Sequence, residues 1–133
     1  MIQKDYDYSC LPGESRVLIY RITKTSKLGL IHEYSWEEIK DFCEEHNLET
    51  VPELYYGTIE NWRTHHTNND ETFLDSLKRV YLEQDCQYCT KKIPAEGICI
   101  RNESRNQIAY KLKSKRFLEK ETKELDKGET IVE

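Results

Sequence analysis

The chain has 133 residues, which suits one compact domain and is too short for two ordinary ones. Hydrophobic residues make up 37% and charged residues 34%, and nine tyrosines with two tryptophans exclude a disordered chain, which is poor in aromatics. A net charge of -5 excludes a surface coated in positive charge for nucleic acid, and no apolar run approaches the roughly 18 residues of a membrane span.

Residues 1–15 are polar, with a turn at Pro12-Gly13. The acidic start, Met1 to Asp7, is not a secretory signal, so a cytoplasmic location with no membrane partner is expected. Val17 to Thr23 is a β-branched and aromatic run that predicts a strand buried on both faces. Leu28 to Tyr34 predicts a second strand, joined to the first as a hairpin through Lys24-Thr25-Ser26-Lys27. Ser35 and Glu38 form a capping box for a helix whose stripe is Trp36, Ile39, Phe42 and Cys43, ending near His46-Asn47. Val51 to Gly57 suggests a short strand, and residues 60–69 a polar loop with Trp62 as a core anchor.

Asn69 or Asp70 is expected to cap a second helix with Phe73, Leu74, Leu77, Val80 and Tyr81 on its apolar face. After a loop holding Cys86, Cys89 and Pro94 come two strands, Gly97 to Arg101 and Gln107 to Lys113, and a last helix from Lys115 to Leu125 with Glu119 and Lys123 spaced as an ion pair. The expected fold class is α+β, an antiparallel sheet with two to three packed helices, and residues 1–133 form a single domain. Charge is unevenly spread along this order. Residues 1–100 carry 11 Lys and Arg against 18 Asp and Glu; residues 101–123 carry 8 against 3. A polyanion is expected to meet the C-terminal third.

The chemistry concentrates in Glu96-Gly97-Ile98-Cys99-Ile100-Arg101 and Tyr110-Lys111-Leu112-Lys113-Ser114. Strand alternation puts Lys111 and Lys113 on one face, with Ile108, Tyr110 and Leu112 turned to the core. Two ammonium groups about 7 Å apart suit an oligophosphate, each charge-assisted bond contributing roughly 1.5–3 kcal/mol. Glu96 supplies a carboxylate of the kind that Mg²⁺ or a ribose hydroxyl needs, and Gly97 leaves room beside it. Taken singly, Lys-x-Lys on a strand is most often a solvated face, and Glu-Gly often only begins a strand.

Glu96 to Arg101 resembles motif IV, and Tyr110 to Ser114 motif V, of the covalent nucleotidyltransferases, the superfamily of polynucleotide ligases and capping enzymes. The helix from Arg116 to Glu129, Val17 to Thr23 at the place of motif IIIa, and Tyr34 to Gly57 are similar to phage-type ATP-dependent RNA ligases. The chain thus resembles the C-terminal part of their adenylation domain. The resemblance implies a partial ligase nucleotidyltransferase (ATP-grasp-like) fold that uses ATP and Mg²⁺ and acts on RNA or DNA ends. It implies that Tyr20 stacks on adenine, where ordinary core packing is the competing reading. It also implies that Glu96 engages the metal and that Lys111 and Lys113 contact the nucleotide phosphates; Arg101 has less support.

The family's nucleophilic lysine, in a Lys-x-Asp-Gly motif, has no counterpart: Lys4-Asp5-Tyr6-Asp7 lacks the glycine. The acidic strand of motif III is missing too, and its place would fall before Met1. The chain alone, an RNA ligase fragment, is therefore expected to be inactive in self-adenylation; the alternatives are one half of a split enzyme whose partner polypeptide supplies the lysine, a non-catalytic module that binds nucleic acid or nucleotide, and a degraded ligase. Among the five cysteines, Cys86-Gln-Tyr-Cys89 lacks a second matching pair, so zinc is not expected there, with His65-His66 the weak remaining ligand source. A thioredoxin-type role is not expected either, since no helix N-terminus follows to lower a thiol pKa. His32 and His46 show no evident partners in the sequence.

Overall fold

The structure, a computed structural model, describes residues 6–104 and 108–128. It divides the chain into two compact units. One comprises the chain up to Gly13, Gly57–Ile100 and the chain from Tyr110 onward; the other comprises Glu14–Tyr56 and Arg101–Ala109. Six short strands and four α-helices occur among the described residues, which makes the chain α+β. The strands pair in three two-stranded sheets, not in the single antiparallel sheet expected.

In the second unit the Val17 to Thr23 run is not one strand: Leu18–Ile19 (β1) pairs in parallel with Glu49–Thr50 (β4), and Thr23 begins a separate strand. Val17 and Tyr20 are 73% and 70% exposed, so the expected burial on both faces is corrected. A strand with one neighbour has no second layer to bury it. The strand expected over Val51 to Gly57 is also corrected: the ladder ends where the Val51 amide donates to the Ile19 carbonyl at 3.0 Å. Pro52 has no N–H with which to continue it.

A hairpin forms here, but not from the expected first strand: Thr23–Thr25 (β2), which includes two residues of the expected turn, pairs antiparallel with Ile31–Glu33 (β3). Ser26 and Leu30 close the turn through an amide-to-carbonyl bond of 2.8 Å, and Gly29 takes φ 84° there. Arg21 makes two parallel bonds to Glu33, at 2.8 and 2.9 Å, and they hold that carboxyl below its ordinary range.

The capping box is formed as expected. Ser35 accepts from the Glu38 amide, and Glu38 accepts from the Ser35 amide, opening Trp36–Glu45 (α1). Ile39 and Cys43, one turn apart, are its buried residues, and Asn47 ends the run in the left-handed region at φ 55°. The Trp36 indole donates to Glu53 at 2.8 Å, and Lys40 reaches both Glu53 and the Tyr56 ring. These contacts hold the segment after β4 against α1.

In the first unit, Ile59–His66 (α2) is a helix where a loop was expected. Thr58 caps it by accepting the Asn61 amide at 3.1 Å. Phe73–Leu77 (α3) follows, capped by Thr72 rather than by Asn69 or Asp70, and runs into a wider π-type turn over Lys78–Leu82. Asp70 sits at φ 64° in the preceding turn, a conformation that cannot begin a helix. Trp62 is the core anchor expected: it is 1% exposed and its indole donates to the Ser76 hydroxyl at 2.8 Å. Of the apolar stripe expected here, Leu77 is buried but Leu74 is half-exposed.

Two substitutions separate what Trp62 contributes. Trp62→Ala is expected to cost about 3–5 kcal/mol in urea unfolding, from lost burial and a residual cavity. Trp62→Phe keeps most of the ring and loses the bond to Ser76, whose hydroxyl still donates to the Phe73 carbonyl, so its cost is expected near 1 kcal/mol. Equal losses would contradict this account.

Candidate functional site

The site is built on the pair formed by Gly97–Asn102 (β5) and Ile108–Lys113 (β6). Both strands stand close to where the sequence sets them; Gln107 lies outside the described residues. Gly97, at the start of β5, lies against the end of β6, so the strands run antiparallel. A Cβ on Gly97 would stand 2.3 Å from the Leu112 carbonyl oxygen and 2.9 Å from the Lys113 Cα. Only a residue without a side chain permits this approach.

Ser114 completes the junction. Its amide donates to the Glu96 carbonyl at 2.8 Å, and its buried hydroxyl donates to the Ala95 carbonyl. The same hydroxyl accepts the Phe117 amide at 3.0 Å and so caps the helix Lys115–Asp126 (α4). One serine therefore ends a strand, starts a helix and pins the residues before β5. On α4 the ion pair joins Lys120 to Glu124, one residue along from the expected Glu119 and Lys123 spacing.

Glu96, Lys111 and Lys113 belong to this first unit, and the Glu96 backbone is held beside the end of β6, where Lys113 lies. Lys111 is exposed. Lys113 is half-buried, its Nζ 5.7 Å from the centre of the Phe117 ring. The expectation that Ile108 and Tyr110 turn to the core is corrected: they are 48% and 56% exposed, because a two-stranded sheet covers neither of its own faces. Leu112 alone of the three is partly buried.

Beneath the junction, Tyr6, Ile93 and Phe117 form a buried cluster, with Tyr8, Cys86 and Cys89 packed against it. Tyr6 meets Phe117 edge-on at 5.6 Å and donates its hydroxyl to the Pro94 carbonyl at 2.6 Å. Burial first, then the neighbouring Glu96 carboxyl, pushes the Tyr8 phenol well above the usual phenol range. Tyr8 therefore stays a neutral phenol beside Glu96.

Tyr8 and Ser9 both lie in the left-handed region, at φ 47° and 64°. For non-glycine residues each costs on the order of 1–2 kcal/mol, so something must hold them. Asp7 does so: its carboxylate accepts the Ser9 amide at 3.1 Å, the Thr90 amide at 2.9 Å and the Thr90 hydroxyl. Ser9 adds a bond to the Tyr88 carbonyl at 2.6 Å. The bond from the Thr90 hydroxyl, then those from the backbone amides, hold the Asp7 carboxyl below its ordinary range.

The remaining candidates lie elsewhere. Tyr20, in the second unit, is exposed, which removes the core reading; it lines a shallow concavity of about 390 Å³ with Arg21, Thr23, Thr25 and Ile31. Arg101, also there, is engaged by Glu103 at 2.9 Å and by the Tyr34 carbonyl. His32 and His46 do have partners, Glu38 at 3.0 Å and the Phe42 carbonyl at 2.9 Å. His65 contacts the Asn61 carbonyl, and the His66 ring lies 4.3 Å from that of Trp62.

Among the described residues, no group of three or more His, Cys, Asp or Glu is placed to hold a metal ion, and no helix is long and apolar enough to cross a membrane. Glu96 is one hard oxygen donor whose backbone is held beside the strand end that carries Lys113. That set fits Mg²⁺ held chiefly by substrate phosphates and water, with one carboxylate from protein. No family model, curated protein or solved structure matches the chain.

Sequence reasoning missed Tyr8 and Asp7. The alternation Tyr6-Asp7-Tyr8 was the available signal, a period-two pattern of aromatics around a carboxylate.

Gly97→Ala is expected to lower stability by about 1–3 kcal/mol in chemical denaturation, since backbone atoms have to move; an unchanged midpoint would contradict the close approach. A second expectation concerns pH. Asp7 has a folded pKa below its unfolded value of about 3.9, so its contribution is complete above that value and is lost as pH falls through the folded one. Protection of the Thr90 amide from hydrogen exchange, taken relative to the rate of an unstructured amide at the same pH, should therefore fall only below about pH 4, and Asp7→Asn should remove that loss of protection.

Proposed function

We propose that this chain supplies the metal- and phosphate-contacting part of an RNA ligase-like site. Glu96 takes part at the metal, and Lys111 and Lys113 at the phosphates. The observation that carries this reading is the junction of β5 and β6: Gly97 against Leu112–Lys113, with the Ser114 amide on the Glu96 carbonyl. It sets the start of one motif against the end of the other over a backbone that side-chain motion cannot loosen. Preorganised cations of this kind are the usual means of stabilising phosphoryl transfer.

In this reading Lys111, free of burial, meets phosphate oxygens directly. Lys113 rests its ammonium on Phe117, so its charge stays close to the strand end and pays little ordering entropy on meeting an anion. Tyr8 stands beside Glu96 as a neutral phenol. When bound, Mg²⁺ would neutralise the charge of the ATP phosphates. The covalent lysine has to come from outside these residues, from further chain or a partner polypeptide, and the ends joined are those of RNA or DNA.

Calorimetric titration with Mg²⁺–ATP tests the reading. Lys111→Ala is the clean variant, because Lys111 is exposed; it is expected to weaken binding roughly 10- to 150-fold. Glu96→Gln is expected to reduce the Mg²⁺ dependence. Unaltered binding in both variants would remove the assignment. Salt-sensitive RNA binding in a chain that binds no nucleotide would replace it with a non-catalytic nucleic-acid module. Incubation with labelled ATP and Mg²⁺ is expected to leave no covalent AMP on this chain, and an adduct would contradict the missing nucleophile.

A further inference from the structure

The Cys86 and Cys89 sulfurs stand 3.2 Å apart, the Cys86 thiol directed at Cys89. Both are partly buried against Tyr6, Ile93 and Phe117, while of the other cysteines Cys43 is buried and Cys99 exposed. Two features hold the loop that carries them. The Cys86 amide donates to the Ile93 carbonyl at 2.7 Å, and Asp7 and Ser9 clamp the Tyr88 and Thr90 backbone on either side of Cys89. Tyr8 packs against the same cluster as the two cysteines. No third sulfur, imidazole or carboxylate joins the pair to make a metal site among the described residues.

We propose that Cys86 and Cys89 are a redox-active dithiol that closes to an intramolecular disulfide by exchange with a low-molecular-weight disulfide such as glutathione disulfide. No helix N-terminus is needed for this, because the two sulfurs are already within about 1.2 Å of bonding distance. Burial foremost pushes the Cys89 thiol up to about 12, so Cys89 keeps its proton and Cys86 is the attacking sulfur. The Cys86 thiolate, its proton released to water, attacks one sulfur of glutathione disulfide and expels a glutathione thiolate. Cys89 then gives up its proton and attacks the Cys86 sulfur of the mixed disulfide, expelling the second. Two thiols become one disulfide, and two electrons pass to glutathione disulfide, giving two molecules of glutathione.

Tyr8 shares its packing cluster with Cys86 and Cys89 and neighbours Glu96, which sets the pair close to the candidate site. The dithiol assignment itself does not rest on the ligase reading.

The test uses the reduced full chain in glutathione buffers of graded composition, followed by alkylation under denaturing conditions and peptide mass mapping. The expected product has lost two hydrogens, links Cys86 to Cys89 and keeps three of the five cysteines alkylatable. Cys89→Ser is expected to trap a glutathione adduct on Cys86, whereas Cys86→Ser gives at least tenfold less adduct on Cys89. Five free thiols throughout the series, a bridge to Cys10, or about one zinc per chain that survives dialysis would each overturn the proposal. The wild-type mapping decides it even where a serine variant fails to fold.

Discussion

The first unit depends on the approach of Gly97 to the Leu112 carbonyl and the Lys113 Cα. The space there admits no Cβ, so β5 and β6 meet backbone to backbone, and Ser114 then has only one place to stand. From it the capped helix α4 departs, carrying Phe117 into contact with Tyr6 and Ile93. A change of one methyl group at residue 97 would therefore reach the helix cap, the aromatic cluster and the setting of Glu96 together. Backbone contacts of this kind have no rotamer through which to relax.

The N-terminal segment is the second constraint, and it is held at a cost. Two consecutive left-handed residues, Tyr8 and Ser9, persist because the Asp7 carboxylate and the Ser9 hydroxyl together bind the loop from Tyr88 to Thr90. These bonds oppose the strain of two left-handed residues, on the order of 1–2 kcal/mol each. The outcome is a short clasp. On one side it touches a cysteine pair, and on the other a carboxylate. A phenol that burial keeps neutral is the link between them.

What the sequence revealed was local. The capping box of Ser35 and Glu38 is legible because both partners lie within one turn. The strands β5 and β6 and the helix after Ser114 are legible because strand and helix periods show directly in their residues. The α2 helix is not legible, since Trp62 is its single buried residue and one apolar position defines no period. Nor is the limited extent of β1, because burial of Val17 and Tyr20 depends on neighbouring strands that composition cannot supply. Tyr6 hides for a different reason: its hydroxyl partner, Pro94, is 88 residues away. At the candidate site, Glu96, Lys111 and Lys113 follow from residue type and order, whereas Tyr8, the neighbour of Glu96, appears only once the chain has folded.

The most direct measurement is NMR of the labelled chain with Mn²⁺ and inorganic pyrophosphate, read residue by residue. Paramagnetic broadening should centre on Glu96 and Gly97, with pyrophosphate-dependent shifts at Lys111 and Lys113, and both should weaken in Glu96→Gln. Broadening centred on the acidic face of α1, or shifts that leave the ends of β5 and β6 untouched, would contradict the assignment of metal and phosphate chemistry to this junction.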